Sequence, residues 1–266
     1  MALFEGRTVL VSGVGPGLGQ QVAVRAAREG ANVVLGARTE ENLAKAAAEI
    51  EAGGTGQGAG RVAWRSTDIA EPEACDRLAE LAVERFGRID AVVHVAAMDS
   101  YFGGLADADF AAWRRVLDVN LIGTLQLTRS CLPALRERGG SVVIIGTQSA
   151  VAAPSQVRQA AYAASKGALT SAMYSLAREL GPDRIRVNTV LPGWMWGPAV
   201  EMYVRWTSGT EGVPEEEVKA RLSERMALPE LATDGDVAEA ALFFASDRAR
   251  AITGQSLLVN AGELMH

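Results

Sequence analysis

Cysteine and histidine, the side chains that most often bind zinc or form disulfides, are nearly absent from this sequence. It contains two cysteines, Cys75 and Cys131, and two histidines, His94 and His266, among 266 residues. The cysteines lie far apart in the sequence and form no redox motif, so we expect free thiols in a reducing compartment. With so few soft ligands, we expect no bound metal.

Positive charge and long apolar runs are scarce as well. The formal net charge is −6 and the arginines are scattered, so we expect no nucleic-acid partner. No stretch approaches the ~20 apolar residues that a membrane-spanning helix needs, so we expect no membrane partner. Residues 1–7 lack a basic region followed by an apolar core, which predicts no signal peptide and a cytoplasmic location.

The sequence does contain a regular alternation of short β-branched runs and Ala-rich helical segments. The runs predict strands at 8–11, 32–36, 62–64, 91–95, 141–145, 185–188 and 257–259. The segments predict helices at 20–29, 40–50, 72–86, 109–138 and 162–173, and residues 53–60 read as a glycine-rich surface loop. This alternation predicts an α/β fold with one domain over residues 1–266, a Rossmann-like, doubly wound parallel sheet of seven strands.

A glycine-rich turn follows the first predicted strand. The common dinucleotide spacing G-x-G-x-x-G fails because position 18 is Leu18, but G-x-x-x-G-x-G fits Gly13, Gly17 and Gly19, with Gly15 between them. Glycines between a strand and a helix let backbone N–H groups approach a pyrophosphate. A tight turn without any ligand is the alternative interpretation.

The second predicted strand ends in Ala37-Arg38. A site for NAD commonly has an acid here for the ribose hydroxyls, whereas an arginine suits the 2′-phosphate of NADP. This residue therefore favours NADP(H) and leaves NAD(H) possible. The alternative is that Arg38 is an ordinary solvated surface charge.

Tyr162 and Lys166 lie four residues apart in a predicted helix and therefore share one face of it. A free phenol has a pKa near ~10, and a neighbouring ammonium lowers it towards values that suit acid–base chemistry. A surface Tyr–Lys pair without function is the alternative.

Several motifs together resemble the short-chain dehydrogenase/reductase family over nearly the whole chain. In the family's order they are Ser12-Gly13-x-x-x-Gly17-x-Gly19, Asp68-Ile69, Asn120, Tyr162-x-x-x-Lys166, Asn188 and Pro192-Gly193. The resemblance implies a nicotinamide cofactor, hydride transfer to a carbonyl or from an alcohol, and a homotetramer.

The resemblance also implies catalytic roles. Tyr162 would exchange a proton with the substrate oxygen, and Lys166 would lower the pKa of Tyr162 and bind the nicotinamide ribose. Asn120 would hold a water that connects Lys166 to solvent. A hydroxyl of Thr147 or Ser149 would bind the substrate oxygen. Thr147 directly follows the predicted strand and is favoured, whereas Ser149 lies at a frequent family spacing from Tyr162.

The cofactor site implied by the resemblance extends over several loops, with Asp68 against the adenine and Pro192-Gly193 beside the nicotinamide. Its expected members are Gly13, Gly15, Gly17, Leu18, Gly19, Arg38, Asp68, Ile69, Ala96, Tyr162, Lys166, Pro192 and Gly193.

Two positions depart from the family pattern. His94-Val95-Ala96-Ala97 stands where the family commonly has Asn-Asn-Ala-Gly. We interpret His94 as a structural residue that replaces a hydrogen bond of the asparagine. Pro16 occupies a position where NADP-preferring relatives often carry a second basic residue, which weakens the preference inferred from Arg38.

Residues 194–228 correspond to the segment that closes over the substrate in the family, and we refer to them as the lid. Three of the five tryptophans of the chain lie here. We expect Trp194 and Trp196, with Thr147, Ser149 and Tyr162, to bind a bulky or cyclic apolar substrate. The alternative is that the aromatic residues pack at a subunit interface.

Three functional hypotheses follow. The favoured one is an oxidoreductase that interconverts a ketone and a secondary alcohol with NADP(H) or NAD(H). The second is an NAD-dependent epimerase or dehydratase, which would be expected to have a larger C-terminal substrate domain. The third is a catalytically silent dinucleotide-binding regulator, which would be expected to lose Tyr162 or Lys166, both of which are present.

Overall fold

The fold is a parallel sheet covered by helices on both faces, seen in a computed structural model that describes residues 2–53, 61–153 and 157–265. Its strands are β1 (Thr8–Ser12), β2 (Asn32–Ala37), β3 (Val62–Ser66), β4 (Ala91–His94), β5 (Gly140–Ile145), β6 (Ile185–Pro192), β7 (Met195–Trp196), β8 (Ala232–Thr233) and β9 (Ser256–Val259). Seven of them form one sheet in the order β3-β2-β1-β4-β5-β6-β9, while β7 and β8 form a small separate pair. The predicted Rossmann-like sheet of seven parallel strands is confirmed.

The helices cover the sheet because its strands are apolar on both faces. They are α1 (Leu18–Arg28), α2 (Glu40–Gly53), α3 (Pro72–Phe86), α4 (Phe110–Leu117), α5 (Thr124–Arg138), α6 (Ala160–Leu180), α7 (Pro198–Glu211), α8 (Glu215–Ser223) and α9 (Asp234–Ala245). Val9 and Val11 of β1 pack with α1, α2 and α9, whereas Leu10 packs on the other face with α3, α5 and α6. The lid has a smaller apolar cluster of its own.

Several predicted elements differ from the observed ones. Helix α6, predicted over 162–173, spans Ala160–Leu180. Strand β6 continues to Pro192 instead of ending at 188, because it pairs with β5 on one side and with β9 on the other. The predicted continuous helix 109–138 is interrupted by a π-helix at Asp118–Gly123. The predicted loop 53–60 lies, apart from Gly53, outside the described residues.

The strand order places a crevice at one edge of the sheet. Connections leave β1 and β4 in opposite directions, and a ligand in such a sheet binds outside the carboxyl ends of the strands at this point. The glycine turn follows β1, and Val95 and Ala96 follow β4, both donating a backbone N–H to the carbonyl of Ser12. The turn therefore lies where the topology predicts a binding site.

The described ranges contain no cluster of metal-binding side chains and no helix that could cross a membrane. Within them, no group of three or more His, Cys, Asp or Glu side chains is arranged to hold a metal ion. Among the helices of the same ranges, none combines the length and apolarity needed to cross a bilayer. Cys75 and Cys131 are buried free thiols, and burial raises the pKa of both.

Candidate active site

The glycine turn is built by close backbone contacts that leave no room for side chains. Gly13 has φ +84°, and a Cβ there would overlap the backbone nitrogen of Ala96. A Cβ at Gly19 would overlap the carbonyl oxygen of Gly13. Gly15 has no such constraint, since its nearest neighbour would be the Asn42 side chain at 3.7 Å. Two of these glycines are therefore required by the backbone approach itself.

The start of α1 completes this turn. Gly17, at φ +100°, precedes Leu18, and no side chain caps the first N–H groups of the helix. Uncapped N–H groups at a helix N-terminus bind anions, and the missing side chains let a phosphate approach the backbone. These features fit the pyrophosphate of a nicotinamide dinucleotide.

Asp234 is a member of this region that the sequence analysis missed. A Cβ at Gly17 would lie 2.8 Å from its carboxylate, and one at Gly197 would lie 2.5 Å from it. Burial, with a further contribution from the charge of Glu201, raises the pKa of Asp234 to about 6. Nothing in the local sequence pattern distinguishes this aspartate from an ordinary residue in the first turn of a helix.

Arg38 and Asp68 lie at the carboxyl ends of two neighbouring strands, β2 and β3. The side chain of Arg38 is exposed, and within the described part of the chain it forms no ion pair. Asp68 accepts a hydrogen bond from the backbone N–H of Ala70 at 3.0 Å. Ile69 is buried against Gly123 of the π-helix. Both polar side chains therefore lie on the same edge of the sheet as the glycine turn.

Lys166 is buried on α6, with 2% of its surface exposed. Its Nζ donates a hydrogen bond of 2.7 Å to the carbonyl oxygen of Ile145 at the end of β5, and lies 5.9 Å from the centroid of the Tyr162 ring. Burial lowers the pKa of Lys166 to about 8, although the charge of Asp99 opposes this shift. The ammonium is thus held beside the phenol by the main sheet.

The expected lowering of the Tyr162 pKa by Lys166 is wrong for this structure. Burial raises the pKa of Tyr162, the charge of Asp99 raises it further, and a hydrogen bond with the Thr147 side chain acts in the opposite direction. The loss of solvation is the largest cause of this shift, and the Lys166 ammonium is engaged with a backbone carbonyl. The phenol is therefore protonated at neutral pH, which is the form that can donate a proton.

Thr147 precedes the short helical turn Gln148–Ala150 that follows β5, and Ser149 lies within this turn. Thr147 is 8% exposed, and its Oγ1 accepts a hydrogen bond from the Ser149 N–H at 3.2 Å. Both hydroxyls line the same cavity as Tyr162. Of the two hydroxyls, that of Thr147 is the one that lowers the pKa of the phenol.

Asn120 lies within the π-helix, completely buried. Its Oδ1 accepts from the Met98 N–H at 2.6 Å, and its Nδ2 donates to Ser165 Oγ at 2.9 Å. Ser165 in turn donates to the carbonyl oxygen of Tyr162 at 2.7 Å. The asparagine therefore joins the loop after β4 to the first turn of α6.

A cavity of about 1110 Å³ lies between the lid and the carboxyl edge of the sheet. Its catalytic wall contains Thr147, Ser149, Tyr162, Pro192 and Gly193. Its opposite wall is largely apolar and comes from Phe102, Val157, Trp194, Met195, Val200, Met202, Tyr203 and Trp206. The arrangement suits a substrate with one polar reacting group and an apolar body.

Of the two tryptophans expected to bind substrate, the structure brings only Trp194 to the cavity. Its ring lies 4.9 Å from that of Tyr203. Trp196 packs in the apolar cluster of the lid, with Lys219 Nζ 4.1 Å above its ring. The structure does not support the expectation for Trp196, since Trp194 and Met195 line the cavity and Trp196 does not.

His94 ends β4 in a buried environment, as a structural residue would. Its Nε2 lies 2.9 Å from Thr128 Oγ1, which already donates its own proton to the Thr124 carbonyl oxygen. His94 therefore donates through Nε2, while its buried Nδ1 has no hydrogen-bond partner among the described residues. A second proton would have no acceptor there, and burial lowers the pKa of His94 to about 3.

Comparison with known proteins gives a consistent result. A family model described as enoyl-(acyl carrier protein) reductase matches residues 13–263. The short chain dehydrogenase/reductase astE of Aspergillus oryzae is 31% identical over 97% of this chain and 95% of its own. The short-chain reductase protein NovJ of Streptomyces niveus is 32% identical over 98% and 95%.

A solved structure of similar fold also comes from a reductase. The structure of L-sorbose reductase from Gluconobacter frateurii, complexed with NADPH and L-sorbose, superposes with a TM-score of 0.91 at 26% identity and covers 100% of both chains. With the glycine turn and the Tyr162–Lys166 pair in place, the chain belongs to the short-chain dehydrogenase/reductase family, the NAD(P)-dependent oxidoreductases that act on CH–OH and C=O groups.

Proposed function

We propose that this enzyme reduces a bulky or cyclic, largely apolar ketone with NADPH, and oxidises the corresponding secondary alcohol in reverse. The observation that supports the proposal is the single cavity in which Tyr162 and Thr147 face an apolar wall of the lid. A polar reacting group at one end and apolar contacts at the other define the chemical class of substrate. The bound nicotinamide supplies the hydride.

The proton in this proposal comes from Tyr162. The phenol is protonated at neutral pH and gives up this proton as the substrate oxygen gains charge. The Thr147 hydroxyl, which lines the same cavity as the phenol, donates a second hydrogen bond to the same oxygen. When the proton leaves, the buried Lys166 ammonium stabilises the phenolate across a distance with little intervening solvent.

Other residues hold the cofactor in this proposal. Lys166 also binds the nicotinamide ribose, Asp68 contacts the adenine, and Pro192 with Gly193 lines the nicotinamide. Asn120 keeps the loop after β4 in register with α6, and holds the water that connects Lys166 to solvent.

NADPH is the proposed cofactor because Arg38 is exposed at the carboxyl end of β2. Its guanidinium is available for a 2′-phosphate, since no described residue neutralises it through an ion pair. The similar L-sorbose reductase was solved with NADPH. NAD(H) remains the alternative cofactor.

We also propose a cytoplasmic homotetramer. Large apolar side chains are exposed on two parts of the molecule away from the cavity. Phe110, Ile122 and Tyr174 belong to α4, the π-helix and α6, whereas Phe243 and Leu257 belong to α9 and β9. Light scattering coupled to gel filtration would measure the mass of the assembly and so test whether it is a tetramer.

The function is tested by offering cyclic and aryl ketones with NADPH or NADH and following nicotinamide absorbance. Tyr162→Phe removes only the phenolic proton, so kcat should fall by ~10²–10⁴-fold while NADPH affinity is unchanged. Tyr174→Phe is the matched control, because Tyr174 is exposed on the same helix. A Tyr162→Phe variant that keeps more than about a tenth of the activity would overturn the assignment.

The same assay shows whether Thr147 or Ser149 supplies the hydroxyl that binds the substrate oxygen. Thr147→Val keeps the branched shape and removes the hydroxyl, so it should slow turnover strongly. Ser149→Ala should be milder, since the Ser149 side chain has no comparable contact with the phenol. The reverse ranking would move the role to Ser149.

A further inference from the structure

The C-terminal segment Asn260–Leu264 contacts both the catalytic turn after β5 and the end of the lid. The backbone N–H groups of Ala227 and Leu228 each donate a 3.0 Å hydrogen bond to the carbonyl oxygen of Ala261. Glu263 and Leu264 line the cavity together with Gln148. One short segment therefore touches the two walls between which the substrate would bind.

Gln148 is the link on the catalytic side, between the two candidate hydroxyls. Its Oε1 accepts a 2.6 Å hydrogen bond from Asn260 Nδ2, and its Nε2 donates a 2.9 Å hydrogen bond to Glu263 Oε2. Both ends of the amide are thus engaged with the C-terminal segment. Because Asn260 donates to the oxygen, the nitrogen of Gln148 must face Glu263.

Glu263 is the link on the lid side. Its side chain is 6% exposed, and its Oε1 pairs with the guanidinium of Arg225 at the end of the lid. The three side chains and Asn260 form one chain of hydrogen bonds, from Asn260 through Gln148 to Glu263, with Arg225 donating from the other end.

The loop after β6 packs against the hydrogen-bonded side chains of Asn260, Gln148 and Glu263 and leaves them little room to move. A Cβ at Gly193 would lie 2.8 Å from Asn260 Cβ, 3.0 Å from Gln148 Oε1 and 3.3 Å from Glu263 Oε2. The loop after β6, which lines the cavity, therefore packs directly against the same polar groups. A shift of Gln148 would have to move either this loop or Thr147.

We propose that Gln148 and Glu263 are positioning residues that hold the hydroxyls of Thr147 and Ser149 at a fixed distance from the lid. This inference rests on the proposed function. The direction of each hydrogen bond determines which side chain fits at each position. The amide nitrogen of Gln148 requires an acceptor at Glu263, and the carboxylate of Glu263 requires a donor at Arg225. Positioning of this kind affects turnover, whereas cofactor binding at the glycine turn does not depend on it.

An exchange of the two side chains tests the proposal. Gln148→Glu places two carboxylates against each other, and Glu263→Gln places an amide nitrogen against either Gln148 or Arg225. The double variant restores every donor–acceptor pair, since Asn260 and a glutamine at 263 both donate to a glutamate at 148, and Arg225 donates to the glutamine oxygen.

We expect kcat to fall about 10- to 100-fold in Gln148→Glu and less in Glu263→Gln, as for a buried polar group left unpaired. The double variant should recover to within roughly threefold of the parent. The Kd of NADPH should stay unchanged in all three. Glu224→Gln, an exposed change in the same part of the lid, is the charge control and should leave kcat unaltered.

Amide hydrogen exchange gives a readout that does not need turnover. Exchange at residues 147–151 and 225–228 should quicken in Gln148→Glu and return towards the parent rate in the double variant. If the parent enzyme reduces no ketone, the proposed function fails, and the exchange data still test the linkage itself. If Gln148→Glu does not fold, the comparison of Glu263→Gln with the double variant serves the same purpose.

Two results would overturn the proposal. One is a double variant as slow as the poorer single variant, since that would show that the direction of the hydrogen bonds does not matter. The other is a Gln148→Glu variant with kcat and exchange rates equal to those of the parent.

Discussion

The edge of the sheet and the lid are packed in different ways. Around the glycine turn, backbone meets backbone, and added side-chain atoms at Gly13 or Gly19 would overlap existing ones. In the lid, a small cluster centred on Val204, Val218 and Leu222 supports the helices, while Trp206 remains 66% exposed. The comparison shows that the Tyr162 and Lys166 side chains lie against the densely packed part of the molecule, whereas the apolar wall of the cavity comes largely from the more exposed lid.

The largest effect is expected at the rigid edge, from Gly13→Ala. An alanine there must adopt φ +84° and displace the Ala96 backbone, which together cost about 2–5 kcal/mol of unfolding free energy. Urea unfolding measures the loss, and NADPH titration should show weaker binding. Gly6→Ala is the control, since Gly6 has φ +70° but open space around it, so it should lose about 1–2 kcal/mol. Equal losses in the two variants would contradict the tight packing at Gly13.

The second largest effect is expected on the pH dependence of stability, and it comes from His94 at the end of β4. Its folded pKa is about 3, below the ordinary value of 6.5. Between these values the unfolded chain binds a proton that the folded protein does not, so stability is lost as pH falls through 6.5 towards 3. The slope approaches ~1.4 kcal/mol per pH unit for one proton.

Gln in place of His94 keeps a nitrogen near Nε2 and cannot titrate in this range. Between pH 6 and pH 4, the parent should therefore lose about 2–3 kcal/mol more unfolding free energy than His94→Gln. Urea unfolding at several pH values gives the difference, in which the contributions of the shared carboxylates cancel. Parallel pH profiles for the two proteins would show that His94 is not held neutral.

The sequence predicts the structure at the edge of the sheet better than it predicts the structure of the lid. The strands, the glycine turn and the Tyr162–Lys166 spacing have strong local patterns, because apolar runs, turns and helical faces each repeat over a few residues. Asn120 is identified in the sequence only through the family motif, and its hydrogen bonds to Met98 and Ser165, like the π-helix around it, are not visible there.

Other contacts have no local signal at all. The hydrogen bond from Lys166 to Ile145 and the chain through Gln148, Arg225 and Glu263 join residues that are distant in sequence, so no pattern of spacing predicts them. Trp196 is expected at the cavity from its place in the lid and from the tryptophans clustered there, and neither feature reveals that its ring packs in the lid cluster beneath Lys219. The sign of the Tyr162 pKa shift also depends on burial, which the helix spacing does not reveal.

A smaller effect at the rigid edge is expected from Arg38→Ala. A charge-assisted hydrogen bond contributes about 1.5–3 kcal/mol, so the parent should prefer NADPH over NADH by roughly 10- to 150-fold. The variant should lose most of this preference, while the KM for the ketone, which depends on the lid, stays the same. Equal binding of NADPH and NADH by the parent enzyme would show that Arg38 does not bind the 2′-phosphate.

The smallest effect is expected in the lid, from two glycines near the end of α7. Gly209 lies inside the helix with ordinary backbone angles and nothing within 4 Å of a Cβ, whereas Gly212 ends the helix at φ +70° in similarly open space. Gly209→Ala should raise the unfolding free energy by about 0.5–1 kcal/mol, because alanine loses less backbone entropy in a helix. Gly212→Ala should lower it by about 1 kcal/mol, because alanine is strained in the left-handed region. Urea unfolding of both variants reveals the sign directly. Since a Cβ at Gly209 meets no atom within 4 Å, a loss of unfolding free energy in Gly209→Ala would contradict the open space around this position.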